Sequence, residues 1–329
     1  MDKDSLVTGI LNDVMKLTEA DKAEEAYRLV AEFVSAHPDA VDNRFRAELA
    51  FIMKNMEYKN ALKEFSFLRG LSVVYKYCGA NYAKVLQEQP EYGTELLPDR
   101  DVIWWCWLQS LEKAPEIVRC CYESVKKLGK KIIVLDEGNL TEYVSLPDHI
   151  IEKYNRGIIS RTHYTDLVRM ELLTERGGLW LDATAYISGT ASILPVLDAE
   201  DLFMYRSGNV SEYIIFDSWF MQAGRKSAIF EATKKLLYTY WEKEEELKHY
   251  FLLHLMMTLA CKMYPDEFES IPLFSNEPAH ALQHDMFKAY SEKRWVQIKN
   301  MSDVHKLTYK YDDGDIGGSL LEKILKGTL

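Results

Sequence analysis

Three side chains within one short stretch have the types and spacing to share a ligand site at a sheet edge. They are Asp166, Arg169 and Asp182, in SRTHYTDLVRMELLTERGGLWLDATAYIS, residues 160–188. Asp166 and Arg169 stand three apart, so on a helix they share one face. On an open surface such a pair is worth only ~0.2–0.5 kcal/mol. Asp182 follows Leu179-Trp180-Leu181 directly. A carboxylate there is costly to bury unpaired, and a strand end in an open α/β sheet is where ligands gather. The carboxylate at the sheet rim and the helix-borne carboxylate and guanidinium could all face one ligand site at that edge.

The flanking pattern supplies elements to position them. A helix is expected from about Thr162 to Glu175, with Leu167, Met170, Leu173 and Thr174 at the spacing of a buried stripe. Gly177 and Gly178 can take the positive φ that ends a helix. Upstream, PEYGTELLPDR (90–100) reads as a linker. The run from Asp101 to Leu108 has strand character, Ala114–Leu128 is a helix with Pro115 in its first turn, and Lys131–Leu135 is a second strand. That succession is a βαβ unit, which implies a parallel sheet with a right-handed crossover. Leu146–Tyr154 adds a short helix. Downstream, Asp201–Tyr205 and Tyr213–Phe216 are expected strands, and Lys226–Tyr240 and Glu245–Lys262 expected helices.

Before residue 90 the pattern is helical. Leu6, Ile10, Val14 and Leu17 form one stripe, and Ala26, Leu29, Val30 and Phe33 a second. Others follow at Phe45, Leu49, Ile52 and Met53, and at Leu62, Phe65, Leu68 and Leu71. Helices with short polar breaks suggest a small bundle or paired hairpins. No fixed-period repeat is present. The organisation read from sequence is a helical extension over residues 1–95 and an α/β domain over 101–329.

The central stretch resembles the sugar-transferase signature of glycosyltransferase family 32 and the related capsular polysaccharide synthesis proteins. The shared elements are an Asp-x-x-Arg helix, Gly-Gly, an aromatic, then Asp-x-Asp or Asp-Ala-Thr, within roughly Asp101 to Lys310. The resemblance implies a GT-A-type, Rossmann-like, mostly parallel sheet flanked by helices. It implies a retaining hexosyltransferase that uses a nucleotide-sugar donor, a UDP-hexose, and a glycan or lipid-linked glycan acceptor in cell-surface polysaccharide synthesis. By the same resemblance Asp166, Arg169 and Asp182 are the catalytic candidates, and Ala183 and Thr184 complete the motif. Trp107 takes the base-stacking position. Trp104 is set beside it as a donor contact, with strand core as the alternative reading, as for Trp105. His305, Lys306 and Lys310 belong to a late segment that closes over the diphosphate, with a lysine-bearing strand as the alternative. Asp217 and Ser218 stand where relatives carry an asparagine-aromatic element. Arg161 and His163, at the helix start, are weaker phosphate candidates. A divalent cation, Mn²⁺ or Mg²⁺, is implied on Asp182, with His305 as a further ligand. Thr184 in place of the second motif aspartate is a weak, neutral donor for such an ion. No carboxylate nucleophile is read from the sequence.

Composition limits the rivals. A net charge of −11 argues against a general nucleic-acid binder. Five cysteines without CxxC spacing suit reduced thiols in a cytoplasmic protein rather than a disulfide scaffold or zinc site. The longest apolar run, Phe251–Cys261, is shorter than the ~20 residues of a membrane span, which leaves peripheral contact with a membrane-bound acceptor. The acidic tail Tyr311–Gly318 lacks the rest of a calcium loop. Two other readings stand beside the transferase. One is a non-catalytic, transferase-like scaffold of a synthesis complex. The other is a hydrolase, which needs paired acids that are not legible here.

Overall fold

The computed structural model describes residues 3–20, 22–42, 45, 48, 49, 52, 95–206, 214–311, 314 and 316–329. The chain divides into two compact units, Met1–Gln87 with Leu247–Leu252, and Glu88–Glu246 with Leu253–Leu329. The division falls a few residues ahead of the 90–100 stretch.

In the first unit, helices Lys3–Glu19 and Ala23–Ala36 pack along the two stripes seen in the sequence. Val7, Ile10, Leu11 and Val14 meet Ala26, Val30, Phe33 and Val34, and Phe45 and Leu49 join the same core. Met53 and the stripe from Leu62 to Leu71 lie outside the described residues.

The second unit is built on a five-stranded sheet whose strands lie side by side in the order Lys131–Leu135, Val102–Cys106, Gly178–Leu181, Phe216–Ala223, Leu202–Arg206. Strand β1 (Val102–Cys106) is wholly buried. Helix Glu116–Val125 follows, with Pro115 as its N-cap, and buries Ile117, Val118, Cys121 and Val125. A 3₁₀ turn to Leu128 and Gly129 at φ 68° lead into β2 (Lys131–Leu135), which pairs parallel with β1. After helix Asp148–Asn155 comes helix Arg161–Glu175, and then β3 (Gly178–Leu181), parallel to β1. The glycine stop has a steric cause. Gly178 sits at φ 101°, and a Cβ there would lie 2.6 Å from the Val102 carbonyl oxygen.

Beyond β3, a short strand β4 (Ala185–Ile187) leaves the main sheet, and helix Leu194–Ala199 follows. Strands β5 (Leu202–Arg206) and β6 (Phe216–Ala223) close the sheet. β6 runs antiparallel to both β3 and β5, so four strands share a direction and one opposes them. Helices Ala228–Lys243, Leu252–Met263, Pro265–Ser270, Glu277–Asp285, Glu292–Met301 and Leu320–Leu325 follow in chain order. Strand β7 (Val304–Lys306) pairs antiparallel with β4 in a second, two-stranded sheet.

Two expectations need correction. The strand placed at Tyr213–Phe216 is β6, which begins at Phe216 and runs to Ala223; Tyr213 lies outside the described residues. β6 is buried on both faces, so it carries no period-2 alternation to mark it. The helix expected from Glu245 begins at Leu252, past the acidic run Glu244-Glu245-Glu246. Among the described residues no helix is long and apolar enough to cross a membrane.

Candidate active site

Helix Arg161–Glu175 is buried along nearly its whole length, from His163 to Thr174. A helix enclosed on all sides must pair its charges, and this one does so in a chain. Trp241 Nε1 donates to His163 Nε2 at 2.9 Å. That leaves the proton on Nδ1, which donates to Asp166 Oδ2 at 3.2 Å. Asp166 Oδ1 in turn lies 3.2 Å from Arg169 Nη2. The i,i+3 pair is therefore an interior one, with Arg169 only 5% exposed.

Arg169 is held on further sides. Its Nη2 donates to Asp182 Oδ1 at 3.1 Å, its Nη1 donates to the Ser218 carbonyl, and its guanidinium lies 4.9 Å over the Trp180 ring. Asp182 stands just past the end of β3, its backbone N–H bonded to the Trp219 carbonyl at 2.9 Å. Oδ1 also accepts from Trp180 Nε1 at 3.0 Å, and Oδ2 accepts from Lys306 Nζ at 2.6 Å. Burial by itself would push this carboxyl up. The Lys306 and Arg169 charges outweigh it and hold the group well below the usual carboxylate range. Lys306 reaches Asp182 because β7 pairs Lys306 with Ala185 and the Leu307 N–H bonds to the Thr184 carbonyl at 2.9 Å.

These groups border a cavity of about 300 Å³. One wall is the segment after β1, Trp107, Leu108 and Gln109. Another is the segment after β3, Asp182, Ala183 and Thr184. Both are carboxyl ends of parallel strands. The third wall is the helix face of Arg161, Thr162, Thr165 and Arg169. Lys306 and Tyr309 complete it, and Tyr309 packs edge-on to Trp107 at 5.3 Å between centroids.

The structure thus brings Asp182, Ala183, Thr184, Arg161, Arg169, Trp107 and Lys306 to one cavity, with Asp166 one step behind Arg169. Other candidates lie elsewhere. Trp104 is fully buried, its Nε1 donating to the Gly177 carbonyl at 2.7 Å, so it is strand core. His163 is spent on Trp241 and Asp166. His305 is also fully buried, its Nε2 2.8 Å from Ser188 Oγ, and burial pushes its imidazole down to about 4. Neighbouring residues on a strand face opposite ways, so β7 can send only one of His305 and Lys306 into the cavity, and it sends Lys306. Lys310 is exposed at 5.8 Å from the Tyr309 ring and lines no wall of it. Ser218 takes part only through its carbonyl. Asp217 is not a wall residue either; burial pushes it up to about 6, and its Oδ2 has no partner.

Sequence reasoning missed Trp180, Tyr309, Thr165 and Trp241. Thr165 carried a readable signal, since it stands one turn ahead of Arg169 on the same face. Trp241 carried none, because its link to His163 spans distant elements.

The implied divalent ion does not match the donor set. Among the described residues no three His, Cys, Asp or Glu side chains converge on one point. Among the described residues Asp182 is the sole carboxylate on the cavity wall, and both its oxygens are engaged.

Fold and site together define an α/β protein with a charged cavity at the carboxyl edge of its sheet. A family model for capsular polysaccharide synthesis protein matches residues 54–324. The chain belongs to that family, and the match begins well upstream of Asp101. A search of curated proteins finds no match. Among solved structures, the chain is similar to one described as a glycosyltransferase involved in the glycosylation of the major capsid of PBCV-1. The identity is 12% and the TM-score 0.35, over 69% of this chain and 98% of that one.

Proposed function

We propose that the protein is a glycosyltransferase of GT-A type that moves a hexose from a UDP-linked donor to a glycan acceptor in cell-surface polysaccharide synthesis. The observation that carries this reading is the Asp182 carboxylate, fixed by Arg169 and Lys306 on the wall of a cavity that Trp107 also lines. Each feature answers a demand of the chemistry. Trp107 and Tyr309 offer aromatic surface to a base. Lys306 and the first turn of helix Arg161–Glu175 offer positive potential to a diphosphate. The Asp166–Arg169–Asp182 chain offers oriented groups to sugar hydroxyls.

In the reaction, the bond from the anomeric carbon to the phosphate oxygen breaks and its electron pair leaves with the diphosphate. The acceptor hydroxyl oxygen bonds to that carbon, and its proton passes to the departing phosphate or to solvent. Stabilising charge as it grows on the leaving group is what raises the rate. Retention at the anomeric carbon and a cytoplasmic site of action complete the reading.

A thermal-shift panel of nucleotide sugars tests it, because stabilisation follows the ratio of ligand concentration to Kd. A UDP-hexose is expected to give the largest shift. No shift from any nucleotide sugar would contradict the reading.

A further inference from the structure

The cavity raises the question of which cation meets the donor's diphosphate. A divalent ion wants several hard oxygen ligands aimed at one point. Asp182 Oδ1 is shared by Arg169 and Trp180, and Oδ2 holds the Lys306 ammonium at 2.6 Å. An ion on Oδ2 would have to displace that ammonium, breaking its ion pair, or sit against it in a repulsive contact. Thr184, two residues on, offers only a neutral hydroxyl.

Lys306 meets the requirements the ion would have met. Arg169 is committed to Asp166, Asp182 and the Ser218 carbonyl, and Arg161 stands 60% exposed, paired with Glu137 at 3.7 Å. Lys306 is 21% exposed, spends one of its three N–H groups on Asp182, and lies on the cavity wall. Its position relative to Asp182 is set by backbone pairing through β4 and β7, not by a flexible side chain alone. Asp182, held ionised, anchors the ammonium as a fixed positive point.

We propose that the Lys306 ammonium stands in for the divalent ion of the family's motif, so that the donor's diphosphate binds against it without metal. This rests on the nucleotide-sugar reading above. The test is calorimetric titration of the full chain with UDP, first in EDTA and then in excess MnCl₂. Wild type is expected to bind in both, with Kd values within about threefold. Lys306→Met should weaken UDP about 10–100-fold in EDTA, the loss of one charge-assisted contact. Lys306→Arg should weaken it by less than about tenfold. A melt of each unliganded variant verifies folding, and the wild-type comparison stands even where a variant does not fold. Binding that needs Mn²⁺, or tightens more than about tenfold with it, overturns metal independence and leaves the donor reading intact. Failure of UDP, GDP, CDP and ADP to bind in either buffer overturns the donor reading itself.

Discussion

Asp182→Asn is the perturbation whose consequences follow most directly from the structure. The side chain keeps its shape but cannot accept from both sides. Its amide nitrogen must face either Lys306 or Arg169, setting donor against donor and leaving a cation uncompensated. Removing one partner of a fully buried pair costs ~3–5 kcal/mol, while an exposed pair is worth ~0–1 kcal/mol. Asp182, Lys306 and Arg169 are 25%, 21% and 5% exposed, which places this site between the limits and nearer the buried one. The expected loss is about 2–3 kcal/mol, a fall in Tm of roughly 4–12 °C for a unit of this size. The pH dependence has a definite sign. The folded carboxyl titrates below its unfolded value, so its contribution is complete above about pH 4 and is lost as pH falls through the folded pKa. The Tm gap between wild type and variant should therefore hold steady from about pH 5 to pH 8 and narrow only in stronger acid. Scanning calorimetry across that range checks it. A variant as stable as wild type at neutral pH would refute the reasoning that the pairs are tight.

Trp107→Ala should weaken UDP binding about 10–100-fold by calorimetry, the worth of one base–aromatic stack, and lower Tm as well, because the ring packs on the core and against Tyr309. Asp217→Asn should stabilise the protein above about pH 6 and be neutral below about pH 4 in urea titrations. The folded carboxyl is pushed up to about 6 by burial, so the cost of ionising it in the folded state grows from about pH 4, where the unfolded carboxyl ionises, and is complete above about pH 6. His305, pushed down to about 4 by burial, binds its proton more readily when unfolded. Stability should accordingly fall as pH drops from about 6.5 to about 4, and His305→Gln should flatten that portion of the profile.

How much of this was legible in the sequence depends on the range of the interactions. The βαβ unit and the first two helices were readable, because local periodicity in Ile117, Val118, Cys121 and Val125, or in Ile10 and Val14, sets them. Gly177-Gly178 marked the helix stop for a reason the structure supplies, the closeness of the Val102 carbonyl. Strand β6 was misplaced because burial on both faces removes its alternation. In the site, Asp166, Arg169 and Asp182 could be named, but the contacts that join them into one chain could not. Whether Lys306 or His305 faced the cavity depends on the register of β7 against β4, a contact between residues more than a hundred positions apart. The same holds for Trp241, which orients His163 from a separate helix.

The most direct measurement of the central claim is a crystal structure of the protein with a bound UDP-hexose. The account predicts the uracil on Trp107, the diphosphate against Lys306 Nζ, and the hexose beside Asp182 and Arg169. A nucleotide lodged away from this cavity, with Lys306 still bonded only to Asp182, would contradict it.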